Sequence, residues 1–206
     1  MPSRVKALLG ALLIVFALPL VAKAGLDAPK AVIESYYAQL LKAMQNSAKL
    51  GYKGRFELLK PSVEKTFNVA LMAQASVGSY WDKMTSDQRT RLINAFRDFT
   101  IANYAHSFHS YDGEKFITTD AQEAPRRDSK DIIVDTEIVK SDGDKVAINY
   151  LLRPDSDNNY KVIDVYLEGS ISQLATRRSE YTSVIREQGV DALIAAIRKK
   201  TEALAS

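Results

Sequence analysis

In KVIDVYLEGSISQLATRRSEY, residues 161–181, Asp164 interrupts an apolar run and the pair Arg177-Arg178 follows shortly after. An acid inside a buried strand needs donors, because an uncompensated buried charge costs several kcal/mol. Counting seven residues from Ile171 brings Arg178 within about 20° of the same helical stripe. Arg178 is therefore expected to point inward, with Arg177 beside it, and to form a structural ion pair with Asp164 between the last long strand and the helix after it. Such a pair serves the architecture or grips the charged group of a ligand.

The remaining reactive residues are sparse. His106 and His109 stand three apart on a predicted helix, but nothing nearby supplies a third ligand, so the expectation is no metal. Asp142/Asp144 and Asp155/Asp157 fall in predicted turns, where Asp is favoured by its bonds to the local backbone. The chain has no Gly-x-Ser-x-Gly elbow, no phosphate-cradling glycine loop and no cysteine. No catalytic machinery and no cofactor are expected.

Charge narrows the partners. The 28 Lys and Arg exceed the 25 Asp and Glu by three, and Arg4, Lys6 and Lys23 all lie in the first 24 residues, which hold no acid. The rest balances at 25 of each sign, which argues against nucleic acid. Residues 1–24 read as a cleaved secretory signal: a basic start, an apolar core too short to span a bilayer, and Ala22-Lys23-Ala24 as the cleavage pattern. Residues 25–206 then form one domain. Without cysteines it must rely on its core in an oxidising compartment.

The elements that position these residues follow from periodicity. Apolar pairs from Val32/Ile33 to Leu40/Leu41 mark a helix after Asp27, and Asn46 to Gly54 breaks it. Pro61 can open a second helix through Val63, Phe67 and Met72, interrupted at Gly78-Ser-Tyr-Trp81. Thr85 and Gln88 fit a capping box for a third, with Leu92, Phe96, Asn103/Tyr104 and Phe108 on its stripe, ending near Tyr111 to Gly113. Four strands follow, 116–121, 132–140, 145–153 and 160–168, as an antiparallel meander with an Asp-Gly hairpin at 142–143. Val162 and Tyr166 appear on one face of the last strand and Ile163, Val165 and Leu167 on the other, so both faces are expected to be covered. Two helices separated by Gly189 close the chain, the first capped by Ser170 or Ser172. The fold class is α+β: a four-stranded antiparallel curved sheet wrapped by several helices. Its inward aromatic residues suit a filled core or a cavity lined by the same side chains.

Several motifs resemble the MlaC family, also called toluene-tolerance or ABC-transport auxiliary proteins. They are Arg55-Phe56, Leu58-Leu59, Pro61, Phe67, Met72-Ala73, Gly78-Ser-Tyr-Trp81, Tyr104-Ala105, Tyr160-Lys-Val-Ile-Asp164-Val165, Glu168-Gly169-Ser170 and Arg178-Ser-Glu-Tyr181. The segment 171–181 is similar to the HpnM branch, associated with hopanoid-producing bacteria. Tyr160 stands where the family often has tryptophan, and Ser170-Ile171 where Val-Ser is common. The resemblance implies an NTF2-like or MlaC-like fold around an apolar cavity and a monomeric periplasmic carrier. That carrier would exchange phospholipid or a hopanoid-like lipid with an inner-membrane transporter complex and an outer-membrane lipid complex, sustaining outer-membrane lipid asymmetry. The expected lining is Met72, Tyr80, Trp81, Phe96, Tyr104, Phe108, Val134, Ile148, Tyr150, Val165 and Tyr166. A non-carrier scaffold docked on a membrane lipid transporter is the alternative.

Overall fold

Residues 25–125 and 129–205 are described by a computed structural model; the expected signal at 1–24 lies outside the described residues. The helices are α1 (Asp27–Gln45), α2 (Ser47–Thr66), α3 (Val69–Val77), α4 (Ser86–Ser107), α5 (Gln173–Gln188) and α6 (Val190–Ala203), with a 3₁₀ turn at Gly78–Lys83. The strands are β1 (Lys115–Glu123), β2 (Ile132–Val139), β3 (Lys145–Pro154), β4 (Tyr160–Leu167) and the two-residue β5 (Ile171–Ser172). They form one antiparallel sheet in chain order, with the four long strands where alternation puts them and β5 as an addition.

The turns explain the acids between strands. Asp142 Oδ1 accepts the N–H of Asp144, and Asp155 Oδ1 accepts those of Asp157 and Asn159. Each carboxylate thus stabilises a hairpin, as Asp does in turns.

α1 lies across the sheet and buries Ile33, Tyr36, Tyr37, Leu40, Ala43 and Met44. Facing it are Ile132, Val134 and Thr136 of β2 and Ile148, Tyr150 and Leu152 of β3, the buried half of each alternation. β4 departs from simple parity. Leu151 pairs with Asp164 but Leu152 with Val162, so Ile163 is the extra residue of a β-bulge. Consequently Val162 and Val165 face the helices together, although parity places them on opposite sides. The continuous burial of β4 reflects this bulge as well as cover on both faces.

The helical region differs from expectation in three places. The first helix does break within 46–54, ending at Gln45 and turning at Asn46, but the rest of that stretch is helical: α2 begins at Ser47, is kinked at Gly51, whose φ of 59° is open to glycine, and contains Pro61 in its interior. The helix expected through Met72 is divided at Phe67, which is extended and bridges Val162 at the free edge of β4. Asn68 then caps α3 by accepting the N–H of Leu71. The capping box of α4 forms as expected, Gln88 N–H to Thr85 Oγ1 at 3.2 Å and Thr85 N–H to Gln88 Oε1 at 3.1 Å. The helix ends at Ser107, a turn early, where the buried Arg55 donates to the Ala105 carbonyl. Among the described residues, no helix is long and apolar enough to cross a membrane.

Candidate functional site: an apolar cavity between helices and sheet

α4 presents Phe96, Thr100, Asn103, Tyr104, Ser107 and Phe108 along one face, the three-and-four spacing of a helical stripe. Opposite stand Ile148 and Tyr150 of β3 and Val165 and Leu167 of β4. The ends are closed by Phe67, Met72 and the first turn of α5, through Gln173, Leu174 and Arg177. These groups enclose a cavity of about 220 Å³. Seven of the expected lining residues meet here: Met72, Phe96, Tyr104, Phe108, Ile148, Tyr150 and Val165.

Four expected residues lie elsewhere. Tyr80 and Trp81 are on the 3₁₀ turn, with Lys83 Nζ 5.9 Å over the Tyr80 ring and the Arg89 guanidinium 5.2 Å over Trp81. Val134, fully buried, packs in the core and does not border the cavity. Tyr166 points to the outer face of the sheet. There, with Ile133, Asn149 and Leu151, it lines a second, more open hollow of about 490 Å³. Its one-residue offset from Val165 decides this, because successive strand side chains alternate.

Behind the cavity is a cluster of phenols. Tyr37 donates to Thr136 Oγ1 at 2.5 Å, and Thr136 donates to the Ile148 carbonyl at 2.5 Å. Tyr36 sits edge-on to Tyr104 at 5.3 Å and to Phe67 at 5.2 Å. Its hydroxyl is buried without a hydrogen bond among the described residues. Burial pushes the phenols of Tyr36, Tyr104 and Tyr150 well up from their ordinary value of 10.0, since no dipole or cation there suffices to hold a phenolate.

The expected Asp164–Arg178 pair is not formed. Asp164 is buried, but Oδ1 accepts the N–H groups of Val165 (2.7 Å) and Leu174 (3.0 Å), and Oδ2 accepts the Ser172 hydroxyl (2.6 Å). Ser172 also caps α5 by accepting the N–H of Ala175. Asp164 therefore acts as a second cap, satisfying orphan N–H groups where negative charge is favoured. The error lay in the phase: α5 starts at Gln173, so Ile171 belongs to a strand and sets no helical register. Counted from Leu174, the inward stripe is Leu174, Arg177, Tyr181 and Ile185, and Arg177 is the arginine that turns to the cavity. Arg178 is exposed and lies across Gly78, where a Cβ would come 2.7 Å from its Nη2.

His106 and His109 are exposed at the end of α4, with Nδ1 atoms against the carbonyls of Leu204 and His106. The described residues contain no cluster of His, Cys, Asp or Glu suited to a metal.

Sequence reasoning missed Phe67, Thr100, Asn103, Ser107, Leu167, Gln173, Leu174 and Arg177 as lining. Thr100 and Ser107 were findable, because they continue the Phe96/Tyr104 stripe at helical spacing. Gln173 and Arg177 required knowing where α5 begins.

The described residues thus build an α+β shell of helices on one face of an antiparallel meander, with an apolar cavity between them. Residues 34–199 match the family described as MlaC protein, and the chain belongs to that family. The fold is also that of a phospholipid-binding protein from Ralstonia solanacearum, solved in complex with a phospholipid at 1.53 Å. The two are 18% identical, with a TM-score of 0.73 over 88% of this chain and 99% of that one.

Proposed function

We propose that this protein is a periplasmic lipid-binding carrier, exported by removal of residues 1–24 and working as a monomer of one domain, 25–206. It takes up the chains of a phospholipid or a hopanoid-like lipid and passes them between an inner-membrane transporter complex and an outer-membrane complex. It is not an enzyme. The observation that carries this reading is the cavity between α4, α5 and the sheet, lined by Met72, Phe96, Phe108, Ile148 and Val165. Membership of the MlaC family supports it, as does a fold shared with a protein solved around a phospholipid. The family match is to MlaC as a whole and does not single out the HpnM branch.

Carrying lipid through water means hiding its chains, at about 0.8 kcal/mol per CH₂. At about 220 Å³ the cavity is smaller than the roughly 300–1,000 Å³ of typical ligand pockets. A long chain is admitted when α5 draws back from α4. α5 is suited to this movement, because it buries just Tyr181 and Ile185, whereas α1 buries seven residues.

Native mass spectrometry of protein from a lipid-containing host, followed by organic extraction, tests the proposal. A bound lipid is the expected result. A bare chain that also fails to take up added lipid favours the docking scaffold, and chemical turnover of the bound molecule would revive an enzyme.

A further inference from the structure

Among the described residues, Arg177 is the one cation on the cavity wall. Its guanidinium reaches from α5 to α4, 4.7 Å over the ring of Phe99 and 5.7 Å over that of Phe96. Cation–π contact of this kind fixes a guanidinium in direction and leaves its N–H edge free for an anion. On its own helix the neighbour is the Tyr181 phenol, which burial pushes upward and the guanidinium pulls back. Among the described residues no carboxylate pairs with Arg177. The nearby acid, Asp164, is already engaged by the start of α5 and by Ser172. Arg97, by contrast, pairs with Asp98 and Glu64, and Arg91 with Asp87 and Asp191.

The polar lining residues flank this cation. Asn103 and Ser107 are one turn apart on α4, and Gln173 and Arg177 one turn apart on α5. Thr100 is not available, because its hydroxyl donates to the Phe96 carbonyl. The cavity is thus apolar along Met72, Phe67 and the strands and polar where the two helices face each other.

We propose that Arg177 binds the phosphate of a phospholipid whose chain occupies the cavity, with Asn103, Ser107 and Gln173 as the surrounding hydrogen-bond groups. The inference rests on the lipid-carrier reading and adds to it the residue that recognises the phosphate, so that Arg177 sets the preference over neutral lipids with the same chains. Guanidinium suits this role because its planar fork donates two parallel hydrogen bonds to phosphate oxygens.

The test is calorimetric titration of the delipidated protein with dihexanoylphosphatidylglycerol, dihexanoylglycerol and glycerol 3-phosphate. The phospholipid is expected to bind about tenfold more tightly than dihexanoylglycerol, the scale of a charge-assisted hydrogen bond. Glycerol 3-phosphate, which lacks chains, is expected to bind far more weakly than either. Arg177→Gln should bring the two lipids within about twofold of each other, and Arg177→Lys should keep about a threefold preference.

If the wild type binds both lipids equally, or if Arg177→Gln keeps the preference, the assignment of Arg177 falls while the carrier reading stands. Binding of neither lipid overturns both, and glycerol 3-phosphate binding as tightly as the phospholipid shows a chain-independent phosphate site and overturns the proposal. Should Arg177→Gln not fold, the wild-type Arg177 Nε resonance decides: a shift with the phospholipid and none with dihexanoylglycerol is expected, and an unmoved resonance with both refutes it.

Discussion

At the centre of the sheet, facing the helices, the buried polar groups are phenols and a threonine; just before β2 and within β4 they are acids. Tyr36, Tyr37, Tyr104, Tyr150 and Thr136 share few donors, and the Tyr36 hydroxyl has none among the described residues. Asp131, where β2 begins, receives both arms of Arg153 at the end of β3, Nε to Oδ1 and Nη2 to Oδ2, each at 2.7 Å. Asp164, within β4 and opposite Leu151, receives two backbone N–H groups and a hydroxyl instead. An acid is buried where chain ends and helix starts bring donors to it, and the middle of the sheet, whose backbone groups are consumed by the ladder, accommodates only neutral hydroxyls.

Alkaline titration tests the centre and carries the largest effect. The phenols of Tyr36, Tyr104 and Tyr150 are raised in the folded state, so the folded protein holds their protons more tightly than the unfolded chain does. Their contribution to stability is complete below about pH 10, the unfolded value, and is lost as pH rises above it, at about 1.4 kcal/mol per pH unit and group. Tyrosinate absorbance from this cluster is expected to appear together with loss of circular dichroism. Ionisation of all the tyrosines in a protein with intact secondary structure would break the contrast.

The two acids can be separated by the same isosteric change. Asp131→Asn turns an N–H group toward the guanidinium and is expected to cost about 2–3 kcal/mol, below the usual range for a broken buried pair because Arg153 is 39% exposed. In a protein of this size that lowers Tm by about 4–12 °C in calorimetry. Asp164→Asn keeps an oxygen for the Val165 and Leu174 N–H groups and can turn its NH₂ to Ser172, so about 1 kcal/mol and 2–4 °C are expected. Equal losses at the two sites would mean that Asp164 depends on a cation after all. The smallest effect is expected for Arg178→Ala, under about 0.5 kcal/mol, because the side chain is exposed and does not pair with Asp164. A loss comparable to that of Asp131→Asn would restore the pair expected from the sequence.

Local rules carried much of the fold. The Thr85/Gln88 capping box, the Asp-Gly hairpin, the Gly189 stop and the four alternating strands depend on neighbours within a few residues, and these neighbours are written in order along the chain. The family was legible too, since its motifs are spaced along most of the sequence. The site was legible in part: the α4 stripe placed Phe96, Tyr104 and Phe108, and alternation put Ile148 and Tyr150 on one side of β3, but it did not choose between Val165 and Tyr166 on β4.

What the sequence determined by itself is the inventory and the periodicity: an α+β chain with balanced charge after residue 24, abundant aromatic residues and no reactive cluster. Tertiary structure decided the rest. The bulge at Ile163 reversed the parity of β4, the pairing of Ile171 in β5 moved the start of α5 and exchanged the roles of Arg177 and Arg178, and the bridge from Phe67 to Val162 divided a helix. Each of these is a contact between segments distant in sequence or a one-residue shift. A single residue rotates a helix by about 100° and inverts a strand, so the periodicity that identifies an element does not fix which side chain it turns inward.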